Sequence, residues 1–150
     1  MTLAAAKVID AVTGLIAGVT GMSGKVHTSR TWPLAESDLP AWRVTAADED
    51  VDTIGAHFPA QEQHDLTVAA QGYARALANL DDVLHGMAEL ALAALFVSAA
   101  TTRLSPLNCA MSLSGIKRDM VTENEATLGC ITLLLRVRFL TFNNAPQTIV

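Results

Sequence analysis

The chain has 150 residues, which fits one domain with a buried hydrophobic core. Apolar residues make up 51% and charged residues 17%, so the apolar surplus is expected either in an alanine-rich core or in contacts between subunits. The net charge of -5 argues against a nucleic-acid-binding protein, because such proteins normally carry a basic patch.

The cysteine count and the apolar stretches indicate whether the chain has disulfide bonds, a signal peptide or a membrane span. Cys109 and Cys130 are too few for a disulfide framework, and the predicted strands place them far apart, so two free thiols are expected. Neither the N-terminus nor residues 80–100 hold an uncharged apolar run long enough for a signal peptide or a membrane span. We therefore expect a soluble protein that makes no membrane contact.

Two helices are predicted from apolar residues at helical spacing. The first has Thr2 as its N-cap and ends near residues 17–19, where a glycine-rich stretch begins. The second covers residues 79–100, with Asn79 as its N-cap and two aspartates in the first turn, where the helix dipole favours acids.

Alternating apolar and polar residues predict the strands. These cover Lys25–Thr28, Ala41–Ala47, His64–Tyr73, Met111–Met120 and Thr127–Phe142. The acidic residues 48–52 and the segment 55–59 are predicted to form a long connection. The order α-β-β-β-α-β-β predicts an α+β fold, with a mostly antiparallel sheet packed by two helices. Residues 1–150 are expected to form a single domain in which 143–150 is a flexible tail.

Chemical motifs are sparse. The segment Gly18–Lys25 lacks the glycine spacing and the hydroxyl residue of a phosphate-binding loop, which favours a helix terminator. The run Asp48–Asp52 lacks the spacing and the glycine of a calcium loop, which favours a solvated turn or a charged interface loop. Since no acid, base and nucleophile come together in the sequence, we predict no catalytic residues, no metal and no cofactor.

Arg136 and Arg138 are the most informative charges, because residues two apart on a strand project from the same face. They either occupy an exposed sheet face, where they protect against aggregation, or contact a neighbouring subunit. The acidic residues proposed as their interface partners are Asp48, Glu49, Asp50, Asp52, Glu123 and Glu125.

Several segments together resemble the tail terminator family of long-tailed bacteriophages. Asp38-Leu39-Pro40-Ala41 leads into the strand Trp42–Thr45, as in the family's D-x-P-A pattern. Gly115–Asp119 then leads to an acidic turn and a long final strand, which is similar to the family's closing hairpin. The likeness covers nearly the whole chain and lies in the order of elements.

The resemblance implies a structural, non-enzymatic role in the virion tail, with assembly in the host bacterial cytoplasm. Such terminators form a homohexameric ring that caps the tail tube, ends its polymerisation and offers a head-joining surface. The implied partners are the chain itself, the tail tube protein and head–tail connector proteins. Two alternatives are another head–tail connector or neck protein, and a small ligand-binding or hydrolytic domain that uses His57, His64 or Asp65.

Overall fold

The structure is a computed structural model that describes residues 3–22, 24–28, 39–55, 58–76, 78–96, 103–104, 107, 109–123 and 126–150. The helices are α1 (Ala4–Ala17) and α2 (Leu80–Leu95). The strands are β1 (Val26–His27), β2 (Ala41–Ile54), β3 (Gln61–Ala76), β4 (Arg103–Leu104), β5 (Cys109–Glu123) and β6 (Ala126–Phe142). They form one six-stranded sheet in the order β1-β2-β3-β6-β5-β4, antiparallel except between β1 and β2. The predicted α+β class is confirmed.

The helices form because their apolar residues recur every three or four positions. The buried residues of α1 are Ala4, Val8, Val12 and Ile16, and those of α2 are Leu80, Leu84, Met87, Ala88, Ala91 and Leu95. The helix α1 begins one residue later than predicted, so that Leu3 and not Thr2 occupies the N-cap position. Asn79 does precede α2, but its side chain makes no capping hydrogen bond. The second helix ends at Leu95 rather than near residue 100.

The core lies between the helices and one face of the sheet, which we call the inner face. From β6 it receives Ile131, Leu133, Leu135, Val137 and Phe139, all 4% exposed or less, as the alternation predicts. Two glycines let side chains approach the sheet closely. A Cβ on Gly72 would lie 3.0 Å from the Trp42 ring, and one on Gly129 would lie 2.8 Å from Leu84 Cδ1.

The acidic residues 48–52 lie in β2, so the prediction that they form a connection is wrong. The strand β2 stays paired with β3 as far as Ile54 opposite Gln61, with a register shift between Ala46 and Asp48. Residues 46–55 are exposed, so they lack the apolar alternation by which strands are recognised. The two-residue strand β4 was also not predicted, because so short a segment carries no periodic signal.

The segment 143–150, predicted to be a flexible tail, folds back along the end of the sheet. The backbone N–H of Asn143 donates to Ala60 (2.9 Å) and that of Val150 to Leu140 (2.8 Å). Ile149 packs against the core. Its flexibility and the single-domain organisation remain predictions.

Two further expectations concern the thiols and the membrane. Cys109 and Cys130 are not joined in a disulfide bond, as predicted, and the residue opposite Cys130 in the hairpin is Asp119. Among the described residues, neither helix has the length and apolar character needed to cross a bilayer.

Candidate functional site

The face of the sheet opposite the helices, which we call the outer face, carries both predicted arginines. Arg136 and Arg138 alternate with the buried residues of β6, and their side chains are 55% and 52% exposed. Between them lies Asp65 of β3, which accepts a hydrogen bond from Arg138 Nε at 2.8 Å. Asp65 Oδ1 is also 3.8 Å from Arg136 Nε. Each guanidinium therefore has an acidic neighbour within its own chain, in addition to any partner outside it.

The hydrogen bond from Arg138 is the main reason why the pKa of Asp65 lies below its usual value, and the charges of Arg138 and Arg136 add to this effect. The two guanidinium groups share the carboxylate of Asp65, and Asp50 of β2 lies directly opposite Asp65 on the same face.

A shallow pocket lies beside the two arginines. Arg138 is paired in register with Ala110 and Arg136 with Ser112, two small and exposed residues of β5. The gap above them has a volume of about 240 Å³, and it is lined by Asp65, Ala110, Met111, Ser112, Arg136 and Arg138. Because Ala110 and Ser112 are short, they leave space beside the arginines, while the guanidinium of Arg138 itself is directed toward Asp65 on β3. We call this feature the arginine pocket.

Three of the six predicted acidic residues lie near one edge of the same face. The register places Asp48 opposite Thr67, Asp50 opposite Asp65 and Asp52 opposite Gln63, all on the outer face. They are exposed, and none of the three forms an ion pair with another described residue. These three aspartates, the acidic edge, lie two strands away from the arginines of their own chain.

Glu49 points the other way, toward the inner face, where it holds a buried histidine. His64 is 9% exposed, and its Nδ1 lies 2.7 Å from Glu49 Oε1. Its Nε2 lies 2.8 Å from the buried hydroxyl of Thr141, and its ring stacks on Phe139 with centroids 4.7 Å apart. Through these side-chain contacts, His64 of β3 links Glu49 of β2 to Thr141 and Phe139 of β6. Its members are far apart in the chain, so no sequence motif indicates this cluster.

The structure does not bring together the residues of the hydrolytic alternative. His64 and Asp65 are consecutive in β3, so their side chains project from opposite faces of the sheet. His57 lies outside the described residues. The described part of the chain also holds no group of three or more His, Cys, Asp or Glu residues arranged to bind a metal ion.

Of the two remaining predicted interface residues, Glu123 lies at the far end of the hairpin. Glu123 ends β5, where its backbone is paired with Ala126 of β6. Glu125 lies outside the described residues. Their role in an interface stays a prediction.

A second polar cluster occupies the outer face near the start of β2. Arg43 donates to Gln71 Oε1 through Nε at 3.1 Å and through Nη2 at 2.5 Å, and the Tyr73 hydroxyl donates to the same oxygen at 3.2 Å. Burial raises the pKa of Tyr73, and it also raises the pKa of the Cys130 thiol. A thiol with a raised pKa is a poor nucleophile at neutral pH, so this cluster does not have the character of a reactive cysteine site.

Comparison with known proteins yields a likeness to a solved structure. No family model and no curated protein matches the chain. The chain is similar to one in the structure titled "Virion of native gene transfer agent (GTA) particle", with 20% identity, 90% of each chain covered and a TM-score of 0.41.

Proposed function

We propose that the chain is a structural virion assembly protein that forms a ring on the end of a phage tail tube. In this role it ends tail polymerisation and provides the surface that joins the head. The observation that carries the proposal is the distribution of charge on the outer face. The acidic edge on β2 and the arginine pocket between β6 and β5 are separate, so one copy can offer both to its neighbours.

Two further features support this proposal. The observed α+β order agrees with the resemblance to tail terminators, apart from the short additional β4. A ring of identical subunits requires a head-to-tail contact, in which each subunit uses two different surfaces. The acidic edge and the arginine pocket are two such surfaces. On this proposal the partners are other copies of the chain, the tail tube protein and head–tail connector proteins, with assembly in the host bacterial cytoplasm.

A binding assay with purified tail-tube protein tests the proposal. A terminator should appear in electron micrographs only at tube ends, and it should shorten tubes when added during polymerisation. Decoration along the tube walls, or no binding at all, contradicts the proposed role. A connector or neck protein would instead bind the head-side assembly and leave free tube ends bare.

The arginines give a second test. Arg136→Glu or Arg138→Glu should weaken ring formation, measured by native mass spectrometry, while circular dichroism shows that the fold is kept. A variant with an unchanged oligomer would refute the contact role of that arginine.

A further inference from the structure

The segment 145–150, which we call the strap, lies along the last residues of β6. It follows β6 through a tight turn at Asn143 and Asn144, which we call the hinge. The backbone N–H of Ala145 donates to Phe142 O at 2.9 Å, and the two residues form an isolated antiparallel bridge. The strap is therefore joined to the body of the protein by a connection of two exposed residues.

The strap takes a place that a further strand could occupy. The register between β5 and β6 ends with Ala110 opposite Arg138, two residues before Leu140. At Leu140 the carbonyl oxygen accepts a hydrogen bond from the Val150 N–H at 2.8 Å. The site on β6 thus binds an extended segment through its backbone, as strand addition does.

Few contacts hold the strap in this site. Besides the bond from Val150, the Ala4 N–H donates to Pro146 O at 3.2 Å, and Ile149 packs against the core. Along the strap, half-buried residues alternate with exposed ones. A cavity of about 430 Å³ lies beside Ile149 and Val150, and Cys109 is among the residues on its other side. A segment with few buried contacts opens at a low cost in free energy.

The hinge has the features of a segment that can exchange between copies. Short hinge loops favour domain swapping, because the chain turns back within very few residues. Pro146 restricts Ala145 to an extended conformation, so the strap keeps its shape whether the hinge is closed or open. When the hinge opens, residues 143–146 span about 13 Å, which is enough to cross to a copy in contact with this one.

We infer that neighbouring copies of the chain exchange straps, so that residues 145–150 of each copy lie along β6 of the next. The site already binds this segment within one chain, so an identical segment from a second copy makes the same hydrogen bonds and the same core contact. Only the turn from Phe142 to Ala145 has to open.

Each copy gives one strap and receives one, and such a head-to-tail relation can close a ring. The inference deepens the proposed function by naming a segment that joins the subunits. It rests on that proposal for the ring itself, but it does not depend on binding to a tail tube.

Two changes in the hinge test the inference. Deletion of Asn144 leaves a single residue to turn the chain, so the strap no longer reaches its own site. The dissociation constant between copies should then fall about tenfold or more. Insertion of two glycines between Asn143 and Asn144 relaxes the turn, so the dissociation constant should rise by about the same factor. Analytical ultracentrifugation measures both values.

Cross-linking shows directly which chain supplies the strap. Ala110 and Val150 are exposed and line the same cavity, so Ala110→Cys/Val150→Cys can be joined by a flexible bis-maleimide. The chain also carries Cys109→Ala and Cys130→Ala, which leave only the two new thiols. On a denaturing gel, the monomer should give a single-chain product, whereas the isolated oligomer should give a ladder of linked chains.

Two controls accompany these experiments. The single variants Ala110→Cys and Val150→Cys, in the same background, should give no linked chains. Ile149→Asp places a charge where the strap meets the core, so it should weaken the oligomer. Thr148→Asp makes the same change in net charge at an exposed position of the strap, and it should leave the oligomer intact.

The outcomes separate this inference from the proposed function. An oligomer in which every cross-link lies within one chain overturns the inference, even if the protein still caps tube ends. Equal dissociation constants in the two hinge variants overturn it as well, and so does a wild-type chain that stays monomeric at all concentrations and at tube ends. Ladders from an oligomer that ignores tail tubes support the inference and contradict the terminator role.

Discussion

Asp50 and Asp65 lie directly opposite each other on β2 and β3, so that two carboxylates share one row of the sheet. Like charges in this position destabilise a sheet. Arg138 lies on the other side of Asp65 and donates to it, which leaves Asp50 without an ion-pair partner among the described residues.

The ion pair of Asp65 should make the stability of the protein depend on acid. The folded-state pKa of Asp65 lies below the usual 3.8, so its ionised form stabilises the fold above that pH, and this contribution disappears as the pH falls through the lowered value. Asp65→Asn should therefore lower stability at pH 7 and show a smaller further loss below pH 4 than the wild type. Urea unfolding at several pH values measures both effects.

The control for this experiment is Asp52→Asn, which removes an exposed carboxylate from the outer face. It should leave the acid dependence close to that of the wild type. Equal slopes for Asp65→Asn and the wild type would show that the pair with Arg138 does not contribute.

The buried His64 should be important for stability. His64→Ala would leave a cavity against Phe139 and would remove the partner of the Thr141 hydroxyl. We expect a loss of about 2 to 4 kcal/mol in the free energy of unfolding. The matched control is His85→Ala on the exposed side of α2, where the imidazole only accepts a hydrogen bond from Arg118. That change should stay within about 0.5 kcal/mol, and a similar loss in both variants would contradict the importance of the buried cluster.

A side chain at position 129 should destabilise the fold, because Gly129 lies directly under α2. A Cβ there would lie 2.8 Å from Leu84 Cδ1 and 2.9 Å from Leu80 Cδ2, so α2 would have to shift away from β6. Gly129→Ala should destabilise the protein by about 1 to 3 kcal/mol, as overpacking does. By contrast, a Cβ on Gly86 within α2 meets nothing within 4 Å, so Gly86→Ala should stabilise by up to about 1 kcal/mol. Thermal unfolding of the two variants should shift in opposite directions.

Tyr73 is the single tyrosine of the chain, so its ionisation can be followed directly by absorbance. Burial and the neighbouring Cys130 raise the pKa of the phenol above 10. The titration midpoint of the folded protein should therefore lie above that of the chain unfolded in guanidinium. Cys130→Ala should lower the midpoint, whereas Cys109→Ala should not. A folded midpoint equal to the unfolded one would show that the phenol is not buried.

Much of the fold could be predicted because its inner face is apolar and periodic. The alternation from Ile131 to Phe139 indicated a long strand with one buried face, and the stripe that includes Leu84 and Ala91 indicated a helix across it. Asn79 marked the start of α2 correctly, although its side chain does not cap the helix. Burial leaves a pattern in the sequence, so these elements could be predicted from it.

The outer half of β2 left no such pattern. Residues around Asp50 are exposed and acidic, so only their pairing with β3 makes them a strand. The partner of Arg138 could not be predicted either, because Asp65 is 73 residues away in sequence. The arginines were predicted as the important charges from their spacing, but their arrangement around one carboxylate depends on the register between strands. That register is a tertiary property.

The hydrogen bond from the Ala4 N–H to Pro146 O, at 3.2 Å, places residues from the two ends of the sequence side by side. A short covalent linker could therefore join the ends, and new ends could be opened in the connection between β3 and α2. Such a circularly permuted chain should build the same sheet. A label attached to its new ends would then lie at a different place from one attached to the original ends.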